Sequence, residues 1–355
     1  MNSNVIDGRT PIVVDAFAGP GGWDEGARIA GYTGQLVGLD TDPDACATAE
    51  AAGHRRIRAD VAAFDLTYFE QYLVDVLILS PPCQAWSSAG GKLGEYDRVQ
   101  CHTLADRMAA GDDSTDFYAW ADDRSPLVCQ PVRWVRELRP RVVVLEEVPE
   151  VASLFEHFAR IFRSWGYSVT VKQLAAEAHG VAQTRRRVIL IGRRDGVPAT
   201  APEPTRAQWP EPVELDLFGS ILDAPRTMAD ALGWTGGASP AGYEPGNVSM
   251  LAAGVTGQSR PRDPYGAPAA TITGKGTAVW KQSLGDGASV TRRVSVAEAG
   301  ALQSFRADYP WSGSVTKQFE QVGNAVPPLL AAAILGPLLT APAGLVGAGA
   351  TAGRY

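Results

Sequence analysis

Cysteine is scarce and unpaired in this sequence: Cys46, Cys83, Cys101 and Cys129 contain no C-x-x-C pair. Neither a zinc site nor a disulfide framework is indicated, which fits a reducing, cytoplasmic setting. A surplus of positive charge is also lacking, since the formal net charge is -7. That balance argues against broad non-specific polyanion binding, so contacts with nucleic acid must come from local basic clusters. Met1 to Thr10 has no apolar core of the kind a signal peptide needs. The stretch Gln321 to Gly353 carries no charge, but Pro327, Pro328, Pro337 and Pro342 interrupt it. One helix packed on a sheet, followed by a loose tail, is expected there instead of a membrane span. No internal repeat and no metal-ligand cluster stand out.

What is present is enough for a full core. The chain has 355 residues, 45% apolar and 20% charged, which suits one large and one small domain. Its first half alternates strand-like and helix-like segments. Strands are expected at Ile12–Ala16, Leu36–Leu39, Asp75–Ser80, Val142–Glu146, Ser168–Leu174 and Val188–Gly192. Helices are expected at Gly22–Ala30, Pro43–Ala52, Val128–Leu138 and Ser153–Trp165. Such alternation predicts an α/β fold with a doubly wound, mostly parallel sheet. From Asp195 to about Val290 the chain turns rich in Pro, Gly, Ala and Thr, as in a loop-rich second domain. Helical patterning returns at Val296–Gln303 and Pro328–Leu339. Between Gln84 and Leu127 runs a long acidic segment, a lid or an insertion.

The run Val76-Leu77-Ile78-Leu79-Ser80-Pro81-Pro82-Cys83-Gln84 carries the strongest chemical signal. A strand fixes the height of the thiol at a sheet edge, and two prolines stiffen its approach. Parallel sheets bind ligands at the carboxyl ends of their strands, so Cys83 is placed as a nucleophile. The first strand runs into Phe17-Ala18-Gly19-Pro20-Gly21-Gly22, where glycine lets a ligand approach the backbone closely. A dinucleotide fingerprint would need a third glycine where Asp24 stands, so that reading fails. About twenty residues on, Asp40 ends a strand where a carboxylate can accept both ribose hydroxyls. Asp60 can accept from an adenine amino group, and together these residues suit S-adenosylmethionine. Glu146 and Glu147 end an apolar strand. Gln183-Thr184-Arg185-Arg186-Arg187 opens the last strand with a cationic cluster.

In order, these blocks resemble the cytosine-5 DNA methyltransferases over nearly the whole chain. Beyond those already quoted, the likeness rests on Glu146-Glu147-Val148, Gln183-x-Arg185-x-Arg187 and Arg293 through Glu298 to Leu302-Gln303-Ser304-Phe305. It closes with Gln321-Val322-Gly323-Asn324-Ala325-Val326-Pro327-Pro328. The resemblance implies a Rossmann-like catalytic domain and a smaller target-recognition domain, with the last block crossing back to complete the cofactor site. It also implies roles. Cys83 attacks carbon 6 of cytosine, Glu146 is the general acid at ring nitrogen 3, and Arg185 and Arg187 stabilise the base's developing charge. Phe17, Gly19, Pro20, Gly21, Gly22, Asp40, Asp60, Pro81, Asn324 and Ala325 would hold S-adenosylmethionine, and Gln84 and Gln183 would contact the substrate. Arg185 is expected to help lower the Cys83 thiol below its free value of about 8.5.

Double-stranded DNA is the implied partner, with the target base flipped out of the stack. A monomer is expected; a cognate restriction endonuclease is a candidate companion that the sequence does not decide. The expected division is 1–194 for catalysis, 195–314 for target recognition, 315–345 for the return and 346–355 for the tail. Within Arg260-Pro261-Arg262-Asp263-Pro264-Tyr265, the arginines are candidate phosphate contacts, as is Lys275. Two rivals remain: the same fold acting on tRNA, and a catalytically silent homologue. The tRNA branch usually carries Cys-Phe-Thr, which does not occur here. One residue departs from the family, which usually has Glu-Asn-Val where this chain has Glu146-Glu147-Val148. Because neighbouring strand side chains alternate, Glu147 is expected to point away from the base, toward the loop behind Cys83.

Overall fold

A computed structural model describes residues 9–87, 91–115, 119–210, 219, 221–234, 248–251, 261–284 and 286–339. Its larger sheet is built from β1 (Thr10–Ala16), β2 (Gln35–Asp40), β3 (Arg55–Arg58), β4 (Tyr72–Leu79), β5 (Val142–Glu147), β6 (Ser168–Ala175) and β7 (Arg186–Arg193). The strand order is β3-β2-β1-β4-β5-β7-β6. All pairings from β3 to β5 are parallel, whereas β7 runs antiparallel to both of its neighbours. The alternation read from the sequence therefore holds, with one strand reversed. That reversal matters. A parallel β7 would deliver Arg186 and Arg187 to the opposite edge from Cys83.

Side-chain alternation along the central strands divides the core. Leu77, Leu79, Val143 and Leu145 face a layer containing Trp134, Phe155 and Phe158. These come from α4 (Gln130–Leu138) and α5 (Ala152–Ser164), with α3 (Gly94–Ala109) contributing Cys101, Leu104 and Met108. Val76, Ile78, Val142 and Val144 face the other way, against α1 (Gly22–Ile29) and α9 (Pro328–Leu339). The side chains of Leu330, Ile334, Leu335 and Leu338 bury α9 on the sheet as expected. Among the described residues no single helix is long and apolar enough to cross a membrane. The expected loose tail lies outside the described residues.

α2 (Pro43–Ala51) starts at an Asp42 cap, whose carboxylate accepts from the Asp44 and Ala45 amides. A second core gathers Met228, Val248, Met250, Trp280, Val294, Leu302 and Phe319. It joins α6 (Met228–Leu232), α7 (Val296–Leu302) and α8 (Val315–Asn324) to an antiparallel sheet of β8 (Val248–Leu251), β9 (Val279–Ser283) and β10 (Ser289–Arg293). These short strands were not visible in a stretch dominated by Pro, Gly and Ala. Nor is the acidic segment after Gln84 all loop, because it contains α3.

Candidate active site

Register brings the site together. Leu39, Ala16, Leu79 and Leu145 lie in one row across β2, β1, β4 and β5. The next residue on each strand is Asp40, Phe17, Ser80 and Glu146, so all four emerge at one edge. The row straddles β1 and β4, where the sheet order turns back on itself and α/β folds open a crevice. A cleft of about 330 Å³ occupies it. Its lining includes Phe17, Gly19, Pro20, Gly22, Asp40, Asp60, Pro81, Cys83, Gln84, Glu146, Arg187, Asn324 and Ala325.

The turn after β1 is held from below. Phe17 sits at φ 65°, an uncommon conformation for a bulky residue. Arg56 pairs with Asp24 at 2.7 Å, and the Tyr309 hydroxyl donates to the Pro20 carbonyl. Gly21 caps α1 and stands behind the cleft instead of on it. Gly22 is required by close approach, because a Cβ there would lie 2.2 Å from the Val326 carbonyl oxygen. At Gly19 the opposite holds: a Cβ would meet nothing within 4 Å and would project into open space. Asp40 accepts from the Gly19 amide at 2.8 Å and from the Asp42 amide at 2.9 Å. Asp60 is exposed, with one oxygen bonded to the Ala62 amide at 2.8 Å.

This lining suits S-adenosylmethionine. Asp40 and Asp60 offer acceptors for hydroxyl and amino groups. Asp40, Asp42, Asp60, Glu146 and Glu320 outnumber Arg187 and Lys317, which favours a ligand bearing sulfonium and ammonium charges. The open face at Gly19 leaves room for it.

Around Cys83 the electrostatics are less simple than expected. Burial, reinforced by Glu147, pushes the thiol up to about 11. Arg187 and Arg185 pull it down, Arg185 as expected, but burial and Glu147 outweigh them. Arg187 Nε lies 2.9 Å from Glu146 Oε1, an ion pair at the cleft wall. Arg185 is fully buried behind that wall, donating to the carbonyls of Gly323 at 2.9 Å and Ile272 at 3.5 Å. Burial first, then the Arg187 charge, lowers its pKa.

Gln183 does not reach the cleft. It is completely buried, donating to Gln303 Oε1 and accepting from the Ile272 amide at 3.0 Å. It is a clamp between segments, and its expected place at the substrate is corrected. Gln84 does line the cleft, and its Oε1 is buried without a partner. Arg262 is likewise spent internally, on Thr184 Oγ1 and the carbonyls of Pro268 and Ala269. Arg260 lies outside the described residues, while Lys275 is exposed. Glu147, expected to point elsewhere, lines the same cleft as Glu146 and Cys83.

Several cleft residues gave no sequence signal. Trp23 Nε1 donates to Ser80 Oγ at 2.9 Å and ties α1 to the Pro81–Cys83 segment. Lys317 on α8 reaches Asp42 at 3.4 Å across the cleft mouth. Leu127 enters from the turn before α4. Only fold contacts place them.

A switch-point cleft with acidic ligand-holding groups on one side and a cysteine on the other defines a cofactor-dependent α/β enzyme. The chain belongs to the C-5 cytosine-specific DNA methylase family, which matches residues 12–106 and 118–339. It is a DNA (cytosine-5-)-methyltransferase, its methyl donor is S-adenosylmethionine, and its substrate is DNA. Similar proteins include the type II methyltransferase M1.HphI of Haemophilus parahaemolyticus, 29% identical over 349 residues, covering 90% of this chain and 84% of that one. The type II methyltransferase M.AplI of Arthrospira platensis is 28% identical over 341 residues, covering 91% and 84%. In fold, the S. pombe Dnmt2 methyltransferase superposes with a TM-score of 0.59 at 15% identity, covering 92% of this chain and 98% of that one.

Proposed function

We propose that this enzyme methylates carbon 5 of a cytosine flipped out of duplex DNA, through a covalent bond from Cys83 to carbon 6. The observation that carries the proposal is the strand-end row, which gathers Cys83, the Glu146–Arg187 pair and Asp40 on one cleft. Carbon 5 is a poor nucleophile until the ring's aromaticity is broken. Addition of the Cys83 thiolate to carbon 6, with a proton supplied to ring nitrogen 3 by Glu146, makes carbon 5 enamine-like. Because Glu146 stands paired with Arg187, its protonation is coupled to transfer of Arg187 to the base's carbonyl oxygen. Arg185 supports this electrostatically from behind the wall. The bound cofactor supplies an electrophilic methyl group on a sulfonium. Once carbon 5 carries the methyl, a water takes the carbon-5 proton, the Cys83 sulfur leaves as a thiolate and the ring-nitrogen proton returns to Glu146, which restores the aromatic ring.

Phe17, Gly19, Pro20, Gly22, Asp40, Asp60, Pro81, Asn324 and Ala325 hold the cofactor in this reading, and Gln84 meets the base. Gly21 sets the turn from behind. The stretch 195–314 reads the target sequence, with 1–194 and 315–345 forming the catalytic unit. The enzyme acts as a cytoplasmic monomer in this reading, and the type II naming of its relatives supports a restriction endonuclease as its companion.

Mass-spectrometric nucleoside analysis after incubation with DNA and with RNA tests the substrate. Methylation of RNA alone would overturn the DNA reading. DNA carrying 5-fluorocytosine should trap the wild type covalently and should not trap Cys83→Ala. An adduct mapped to Cys46, Cys101 or Cys129 would overturn the nucleophile.

A further inference from the structure

Glu147 is a buried carboxyl that the reaction above does not use. Its side chain lines the cleft and is 1% exposed. One oxygen accepts from the Val148 amide, and the other has no partner. Among the described residues no cation is ion-paired with it, although the Arg187 charge acts on it from a distance. Arg187, on β7, is committed to Glu146, and Arg185 donates to two carbonyls behind the wall. The remaining charges facing it are negative: Glu146 on its own strand and Glu150 in the following turn, whose own partner is Lys92 at 3.8 Å. Cys83, just after β4, lines the same cleft. A buried carboxylate without a counter-ion is strongly disfavoured, so the group keeps its proton instead. Burial first, reinforced by Glu146 and Glu150, accordingly holds the Glu147 carboxyl well above the ordinary carboxylate range.

Neutrality here has a consequence for the nucleophile. Of the charged neighbours of Cys83, Glu147 weighs most heavily against its ionisation. An ionised Glu147 would place a second anion beside the thiolate that must form. We propose that Glu147 is a positioning residue that serves methyl transfer as a neutral carboxyl, and that its ionisation in alkaline solution suppresses the Cys83 thiolate and closes the reaction. The proposal rests on Cys83 being the nucleophile. Glu147 touches neither base nor cofactor in this role and acts through the thiol alone.

The test measures Cys83 directly, without DNA or methyl transfer. Wild type and Glu147→Gln are alkylated with iodoacetamide between about pH 7 and pH 10, and Cys83 labelling is followed by peptide mass spectrometry. At the neutral end of that range the two should label alike, and at the alkaline end the variant should label faster, about tenfold for each pKa unit that an ionised Glu147 adds to the thiol. The ratio of single-turnover methylation rates at the same two pH values should rise by a similar factor in the variant. Coincident alkylation curves would overturn the proposal. So would a variant faster by the same factor at both pH values, because Glu147 would then already be ionised at neutrality. The wild type alone also decides it: its labelling curve must bend below that of a single ionisation, and a clean single ionisation refutes the idea even if the variant fails to fold. Failure of the fluorocytosine trap would remove the nucleophile assignment instead, so the two failures are distinguishable.

Discussion

Replacing Asp40 with alanine should weaken S-adenosylmethionine binding far more than the same change at Asp60. Asp40 ends β2 at the cleft and already orders two amides, accepting from Gly19 at 2.8 Å and from Asp42 at 2.9 Å. Each carboxylate oxygen keeps a second lone pair for a ribose hydroxyl. Alanine removes those acceptors and releases the Gly19 amide, so the turn that shapes the cleft loosens as well. Leaving such groups unpartnered costs about 1–3 kcal/mol, which is roughly a 5- to 150-fold rise in Kd. Asn is no safe substitute, since its NH2 would face one of the two amide donors. Asp60 is exposed, with one oxygen on the Ala62 amide, and its loss should cost under about 1 kcal/mol, or less than about fivefold. Isothermal titration calorimetry without DNA measures both. Burial raises the Asp40 pKa, so affinity should fall on acidification earlier than for an ordinary carboxylate. Asp40→Ala within about twofold of wild type, or Asp60→Ala the more damaging, would refute the assignment of the ribose to Asp40.

Gly22→Ala should destabilise the fold by about 1–3 kcal/mol and weaken cofactor binding, because its Cβ would meet the Val326 carbonyl at 2.2 Å; denaturant melts and calorimetry would show both effects. Glu146→Gln should slow single-turnover methylation by roughly 10²- to 10⁴-fold, the range for losing a positioned acid, and a smaller loss would mean that another group protonates the ring. Asp15 is buried with both carboxylate oxygens unpartnered, and burial raises its pKa well above the ordinary value. Its stabilising contribution is therefore full below the unfolded pKa and fades as pH rises toward the folded one, by up to about 1.4 kcal/mol per pH unit. Asp15→Asn should accordingly gain stability relative to wild type as pH rises above the unfolded carboxylate range in paired urea melts, and a pH-independent difference would refute that.

The catalytic edge was legible in the sequence because its signals are local. A strand running into Pro81-Pro82-Cys83 declares both its direction and its end, and the glycine turn after β1 does the same. Orientation of β7 is different in kind, since an apolar strand reads identically in either direction. Connection length holds the missing signal: residues 176–185 separate β6 from β7, and a parallel crossover needs a dozen or more. The strand ends are too loosely set by periodicity for that count to be made from sequence alone. α3 was obscured because its buried positions include Asp97 and Cys101 while Tyr96 and Val99 face solvent, which blurs the apolar stripe. Asp97 is tolerated there because it accepts from Ser125 Oγ at 2.6 Å and from the Ala121 amide at 2.8 Å.

Charged and amide side chains were the hardest to place, for a physical reason. Arg185, Arg262 and Gln183 have the reach and donors that a nucleic-acid contact would use. The same properties let them saturate buried carbonyls where the second core meets the first. Sequence spacing cannot tell these uses apart, because both are defined by the partner and not by the residue. Arg187 escapes the ambiguity through register. It opens a strand whose pairing sets Val188 opposite Glu147 and Ile189 opposite Glu146, so its guanidinium begins where β5 ends. Glu147 shows the limit of alternation as a guide. The cleft wraps around the end of β5 and meets both carboxyls, and only one of them has an arginine. Two adjacent glutamates are thereby set in different surroundings: Glu146 is ion-paired with Arg187, while burial raises the Glu147 carboxyl well above the ordinary carboxylate range.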